Sequence, residues 1–323
     1  MSPESHGLDP AARPGRRRSS LEAYLELVRV FLLPSAVADS HAGLLLALAL
    51  EGKEPSGGRA MAVALTSALV YSLGMAANDL FDRRKDAVSA PSRPIPSGRV
   101  SPRAAALLCA VLGGGAIAGA IASGTVWVTA LLITTVLLYD FGGKRWPVAG
   151  VLLMGLCRAE NFLLGASAAM GASALVRPEV LCGAAVLGLF IALVTSVSRL
   201  EDRPFRRRPI RARALPLFLL PVSFAAAAPT NPLAWINAVF LSLVLLDALR
   251  AAGKASSAPG AVHGAAIYVR KALGAIYLVD AGIVLALWPE REGVLRPILA
   301  LYLLWAASWL WKKRWMRAGS TGS

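Results

Sequence analysis

The chain is a succession of mostly apolar blocks, each about 16 to 25 residues long, the length that crosses roughly 30 Å of hydrocarbon as a helix. Short polar segments separate them. Ten blocks run over residues 26 to 50, 59 to 79, 103 to 122, 125 to 140, 147 to 170, 179 to 198, 213 to 228, 232 to 250, 266 to 288 and 294 to 311. In lipid a chain must satisfy its backbone internally, so runs of this kind imply an all-α polytopic membrane bundle. Composition agrees. With 56% hydrophobic and 16% charged residues the chain falls well short of the roughly 25% charge of a soluble domain. A soluble enzyme and a disordered chain are both excluded for most of its length.

The net charge of +15 would suggest nucleic acid in a soluble protein, but here it reads as topology, and no nucleic-acid partner is expected. With the N-terminus inside, only Lys53, Arg59, Arg177, Arg291 and Arg296 of the 34 basic residues fall in outside loops, and Arg158 lies within a span. Cytoplasmic loops collect Lys and Arg, so an even number of spans with both termini cytoplasmic in the inner (plasma) membrane is expected. Pro216 and Pro221 make the block at 213 to 228 the weakest. Residues 1–20 read as a disordered cytoplasmic tail, not a cleavable signal. Cys109, Cys157, Cys182 and the scattered His6, His41 and His263 form neither a disulfide framework nor a zinc site.

Chemistry concentrates after the second block, in Asn78-Asp79-Leu80-Phe81-Asp82-Arg83-Arg84-Lys85-Asp86 and then Arg93-Pro94-Ile95-Pro96-Ser97-Gly98-Arg99. If the helix continues beyond the bilayer, Asn78, Asp82 and Asp86 recur every four residues on one face, with Asp79 close by. Such a row of oxygens suits Mg²⁺, which prefers carboxylate, water and substrate phosphate to a closed protein cage. A solvated charge run beside the membrane would look similar from composition alone.

The pattern N-D-x-x-D-x-x-x-D followed by R-P-I-P-S-G-R resembles the first signature of the UbiA superfamily of intramembrane prenyltransferases. Tyr139 with Lys144 sits where that family has a Tyr and a Lys near the diphosphate, and Gly155-Leu156-Cys157-Arg158-Ala159-Glu160-Asn161 looks like its fifth helix. The resemblance covers roughly residues 22 to 290. It implies a membrane domain over 21–290 with about nine family-like transmembrane helices, and an additional helix with a basic tail over 291–323. The second signature departs from the family's D-x-x-x-D, because the register gives Ser198-Arg199-Leu200-Glu201-Asp202. That variant resembles the less characterised EboC-like bacterial clade.

The resemblance further implies Mg²⁺-dependent transfer of an isoprenoid chain from a prenyl diphosphate to a small, possibly aromatic, acceptor, with membrane lipid around the site. On that reading Asp82, Asp86, Lys144 and Tyr139 are catalytic, and Asn78, Asp79, Asp82, Asp86, Glu201 and Asp202 are metal ligands. Arg93, Ser198 and Arg199 bind substrate. The arginines at 199 to 213 either neutralise diphosphate in place of the missing carboxylate or only anchor the loop at anionic headgroups.

Ionisable groups inside spans are costly and therefore site candidates. Asp39, Arg158, Glu160 and Asn161 are the clearest, with Asp39, Arg158 and Asn161 as substrate contacts, unless they only hold helices together. Asp247 and Asp280 are further cases. Tyr71, Phe81 and Tyr139 lie at the level where an allylic cation would need shielding. Trp305, Trp309, Trp311 and Trp315 read as an interfacial belt, and Gly113-Gly114-Gly115 as close helix packing. Three other functions share the pattern: a terpene cyclase, a phosphoribosyl transferase acting on a polyprenyl phosphate, and a non-catalytic lipid-binding or export-assisting protein.

Overall fold

The computed structural model describes residues 20–200, 207–255, 264–288, 299, 301–303 and 306. Among them there are helices and no strand. The helices are α1 (Ser20–Leu27), α2 (Leu33–Leu50), α3 (Gly57–Ser89), α4 (Pro102–Ser123), α5 (Val126–Phe141), α6 (Pro147–Met170), α7 (Pro178–Ser198), α8 (Arg207–Ala214), α9 (Leu219–Ala227), α10 (Pro232–Ala255), α11 (Gly264–Ala272) and α12 (Ile276–Leu287). Seven helical segments among the described residues are long and apolar enough to cross a membrane, and Val126–Phe141 is a shorter apolar helix. The protein is an all-α polytopic membrane bundle.

Helix starts follow local chemistry. Proline occupies the first helical turn of α4, α6 and α7, where its missing N–H costs nothing. Ser101 caps α4 by accepting from the Ala104 N–H at 3.1 Å, and Gly124 ends it in the left-handed conformation at φ 74°. The expected block at 26 to 50 is interrupted, since α1 stops at Leu27 and α2 begins at Leu33. The proline-containing block at 213 to 228 is likewise a broken rod, with a 3₁₀ turn over Leu215–Phe218 between α8 and α9. The block at 266 to 288 divides into α11 and α12. Most of the tenth block, the four tryptophans and the tail over 1–19 lie outside the described residues.

Two close crossings set the bundle. α2 meets α6 at Gly43 and Gly165, where a Cβ on Gly165 would sit 1.7 Å from the Ser40 carbonyl oxygen and one on Gly43 2.0 Å from that of Phe162. α6 meets α7 at Gly155 and Gly188 with the same backbone-on-backbone contact. Without water to drive apolar surfaces together, such small-residue seams let helices associate by packing. α4 and α5 turn Leu107, Val111, Ile121, Trp127 and Leu131 outward, as lipid requires. At 33 residues, α3 is about 50 Å long at 1.5 Å per residue. It outruns the hydrocarbon and carries the acidic row past its edge.

Candidate active site at the end of the third helix

The acidic row of α3 opens into a cavity of about 1170 Å³ walled by α2, α3, α5, α6 and the end of α7. Asn78, Asp82, Asp86, Arg93, Tyr139, Lys144, Arg158, Asn161, Ser198 and Arg199 all line it. The fold thus brings together residues separated by more than a hundred positions. Asp79 and Asp39 do not line it, and Glu201 and Asp202 lie outside the described residues.

Lys144, in the turn between α5 and α6, donates to Asn78 Oδ1 and to Asp82 Oδ2, each at 2.8 Å. Asp140 Oδ1 is 3.8 Å from the same ammonium. Asp86 turns to a different partner, accepting from Arg93 at 2.6 Å. Arg93 is presented by a compact turn in which the Val100 N–H donates to the Pro94 carbonyl at 3.0 Å and Gly98 takes φ 75°. Ile95 and Val100 plug that turn into a buried cluster with Ala23, Leu27, Ala76 and Ala105. The R-P-I-P-S-G-R motif is therefore a folded bracket that holds Arg93 against the acidic row.

Asp79 does not line the cavity and anchors arginines. Its Oδ1 lies 3.2 Å from Arg29 and 3.5 Å from Arg93. Sequence reasoning counted Arg29 only as a topological charge, yet it sits in the cavity wall and holds φ 48° between α1 and α2. A non-glycine residue in that region stores strain, and here the pairing with Asp79 accompanies it. Asp140 was also missed; its place one residue after Tyr139 was the available signal. Arg199 passes over Gly150, where a Cβ would lie 2.0 Å from its Nη2. Ser198 is capped locally, donating to the Thr195 carbonyl at 2.8 Å. Farther along the arginine run, Arg213 donates to the carbonyl of Ser196 and so closes the end of α7.

The oxygen set fits Mg²⁺. Asn78 Oδ1 and Asp82 Oδ2 already converge on one cation, the Lys144 ammonium, which marks a point where positive charge is stabilised. Among the described residues no three His, Cys, Asp or Glu side chains form a closed cage. That is the expected state for an ion that takes few protein oxygens and completes its shell with water and phosphate. Asn78 and Asp82 are the residues that would hold it, with Asp140 beside them and Asp86 available once Arg93 turns to an anion. Phe81 stacks edge-on against Phe141 with centroids 5.8 Å apart and joins Tyr71 and Tyr139 in the lining.

Deeper in, the intramembrane polar groups divide. Arg158 of α6 donates to Asp39 of α2 at 2.5 Å. Asn161 donates to the Ala36 carbonyl at 2.7 Å, and Ser67 of α3 lies 2.8 Å from Asn161 Oδ1, so these two tie α2, α3 and α6. Glu160 points the other way, accepting from Thr135 of α5 at 3.0 Å. Asp247 forms an exposed ion pair with Lys271.

Comparison with known proteins agrees with this geometry. Residues 41–208 match the UbiA prenyltransferase family. The digeranylgeranylglyceryl phosphate synthase of Methanothrix thermoacetophila is 37% identical over 138 residues, 42% of this chain and 50% of that protein. That of Methanopyrus kandleri is 36% identical over 150 residues, 46% of this chain and 53% of that protein. The chain spans about half the length of these relatives. A UbiA homologue from Aeropyrum pernix superposes with TM-score 0.62 at 18% identity, covering 80% of this chain and 98% of that one. A homologue from Archaeoglobus fulgidus bound to GPP and Mg²⁺ does so with TM-score 0.54 at 17% identity, covering 79% and 99%. At such identity these structures show the fold.

The relatives correct one expectation. Similarity runs to archaeal digeranylgeranylglyceryl phosphate synthases, not to the EboC-like bacterial clade. That clade was read from five residues at the end of α7, a stretch too short to outweigh likeness over 138 to 150 positions. With more than half of the chain matched, and with the first signature, its arginine bracket and Lys144 assembled around one cavity, the chain belongs to the UbiA prenyltransferase family.

Proposed function

We propose that this chain is an integral membrane prenyltransferase that moves an isoprenoid chain from a prenyl diphosphate to a small acceptor, with Mg²⁺ as cofactor. The observation that carries the reading is the convergence of Asn78, Asp82 and Lys144 in one cavity that is also lined by the apolar Val70, Leu132, Val136 and Met154. Digeranylgeranylglyceryl phosphate synthases among the relatives, and an Archaeoglobus fulgidus homologue bound to GPP and Mg²⁺, support the same class of donor.

In this reading Asn78 and Asp82 would hold Mg²⁺, and Lys144 turns from Asp82 to the phosphate oxygens. A bound Mg²⁺ supplies Lewis-acid stabilisation of the leaving group. Arg93 and Arg199 add guanidinium contacts from opposite walls, in the planar geometry that matches phosphate. The prenyl chain lies along Val70, Leu132, Val136 and Met154, which keep water from C1. The bond from C1 to the diphosphate oxygen breaks, the leaving group takes the electron pair, and Tyr71, Phe81 and Tyr139 shield the allylic carbon. The acceptor nucleophile bonds C1, and its proton passes to water at the open mouth.

The basic loops support an inner-membrane location with both termini cytoplasmic. Nine family-like spans and a tenth at the C-terminus make that count even. Reporters fused before Leu21 and after Arg317 should both read cytoplasmic, whereas opposite readings would require an odd number. Purified protein given radiolabelled geranyl diphosphate and Mg²⁺ should bind the donor and release diphosphate when an acceptor is present. Loss of neither donor nor metal binding in Asp82→Asn would overturn the assignment of the site.

A further inference from the structure

The bracket that presents Arg93 is tied to the first helix of the chain by contacts that the transfer reading does not use. Arg99 closes the bracket on itself and then reaches out of it. Its Nη2 donates to the Ser92 carbonyl at 2.7 Å, its Nε to Ser97 Oγ at 3.1 Å, and its Nη1 to Glu26 of α1 at 2.7 Å. The Ser92 carbonyl belongs to the planar peptide that enters Arg93, so the Arg99 guanidinium fixes the plane from which the Arg93 side chain departs. Neither Glu26 nor Arg99 lines the cavity.

The first helix depends on the bracket in turn. At eight residues α1 is too short to hold a helix unaided, and it buries Ala23 and Leu27 in one cluster with Ile95 and Val100 of the bracket. Arg29, two residues past its end, takes the left-handed conformation and pairs with Asp79 at 3.2 Å. That is the same carboxylate oxygen that Arg93 approaches at 3.5 Å. Asp79 is buried, and a buried carboxylate left without a partner is costly. With Arg29 in place, Arg93 can leave without exacting that cost.

The contacts of α1 weigh differently in the empty and the loaded site. With no donor, Arg93 itself ties the bracket to α3 through Asp86 at 2.6 Å. Once Arg93 turns to a diphosphate that tie is gone, and the bracket is held by the Ile95 and Val100 plug and by the Glu26–Arg99 ion pair. An interaction that holds the loaded state more firmly than the empty one adds to donor affinity, whereas one that holds both equally adds nothing.

We propose that Glu26 is a positioning residue for the donor: through Arg99 it secures the bracket when Arg93 moves from Asp86 to the diphosphate. This rests on the transfer reading above, and it gives the N-terminal helix a part in donor affinity that the lining of the cavity does not show.

The test is binding of radiolabelled geranyl diphosphate with Mg²⁺ to the full chain in detergent, which needs no acceptor. Glu26→Gln, which removes the charge at nearly constant shape, should weaken binding about threefold, the scale of a partly exposed ion pair. Glu26→Lys, which sets a like charge against Arg99, should weaken it about tenfold or more. Glu26→Asp, which keeps the charge one methylene farther back, should bind the donor more tightly than Glu26→Gln. In an Arg93→Ala background, Glu26→Gln and Glu26→Lys should cause no further loss, because no tie is left to exchange. Unchanged donor affinity in Glu26→Gln and Glu26→Lys overturns the proposal. An equal loss with and without Arg93 overturns it too, since a helix that only stabilises the bundle would act regardless of that side chain, and so does a Glu26→Asp protein no better than Glu26→Gln. Absence of donor binding by the unaltered protein overturns the transfer reading instead, which keeps the two failures apart.

Discussion

Lys144 Nζ lies 2.8 Å from Asp82 Oδ2, an ion pair that closes 62 residues of sequence and spans the mouth of the cavity from the α5–α6 turn to α3. The same ammonium reaches Asn78 at 2.8 Å. On the transfer reading, this lysine would compete with a divalent ion for the oxygens that would hold it, and would release them to meet a diphosphate.

Lys144→Met should show that competition directly. Without donor present, Mg²⁺ should bind the variant more tightly than the unaltered protein, because two oxygens are left without a cation. With donor present, turnover should fall about tenfold or more, corresponding to about 1.4 kcal/mol of lost stabilisation of the leaving group. Titration calorimetry of Mg²⁺, set beside product formation, reads both. Weaker metal binding in Lys144→Met would contradict the shared site.

Asp82→Asn should lower turnover by about a hundredfold or more, the scale seen when one preorganised electrostatic contact is removed from a dry site. The protein should still elute as a folded species in detergent, since Asp82 is at the membrane edge and packs in no apolar cluster. Asp86→Asn should act partly through Arg93, which it holds at 2.6 Å, and Arg93→Ala should reproduce much of its effect.

Gly150 and Arg199 should behave as one unit. A methyl group on Gly150 would overlap the Arg199 guanidinium, so Gly150→Ala and Arg199→Ala should both weaken donor binding, each by about tenfold. Ser198→Asp should also impair the donor, because a carboxylate one residue away would draw Arg199 off the cavity. Full activity of both Arg199→Ala and Ser198→Asp would mean that this arginine serves only as an anchor.

The α2–α6 seam sets stability. Gly165→Ala places a methyl group 1.7 Å from the Ser40 carbonyl oxygen, and overpacking of that kind costs roughly 2 to 3 kcal/mol. Gly114→Ala, where no atom lies within 4 Å of the added carbon, should not lower the melting temperature and should raise it slightly, because alanine is the better helix former. Thermal denaturation in one detergent compares the two.

Much of the fold was legible in the chain. The blocks at 147 to 170 and 179 to 198 coincide with α6 and α7 within a residue at each end, because long apolar runs bounded by proline leave few other solutions in lipid. The breaks near Leu32 and Leu273 were less legible, whereas Pro216 and Pro221 marked the one at 213 to 228. The first two fall within or beside an apolar stretch, and hydropathy is nearly blind to a turn whose side chains all favour the same solvent. The acidic row was legible for a similar reason, since spacing along one helix decides which side chains share its face.

Hydropathy, helical register and the motif residues are enough to establish that the chain crosses a membrane many times, that its third helix carries oxygens in register, and that it resembles one family. Which side chains meet depends on how the helices pack. Asp79 holds arginines while Asp82 meets Lys144, and Arg29 enters the cavity wall from a strained turn. Asp39 and Arg158 meet from two helices 119 residues apart in sequence. Periodicity acts over a helical turn, whereas these pairings depend on how glycine seams such as Gly43 with Gly165 bring whole helices to one depth and angle.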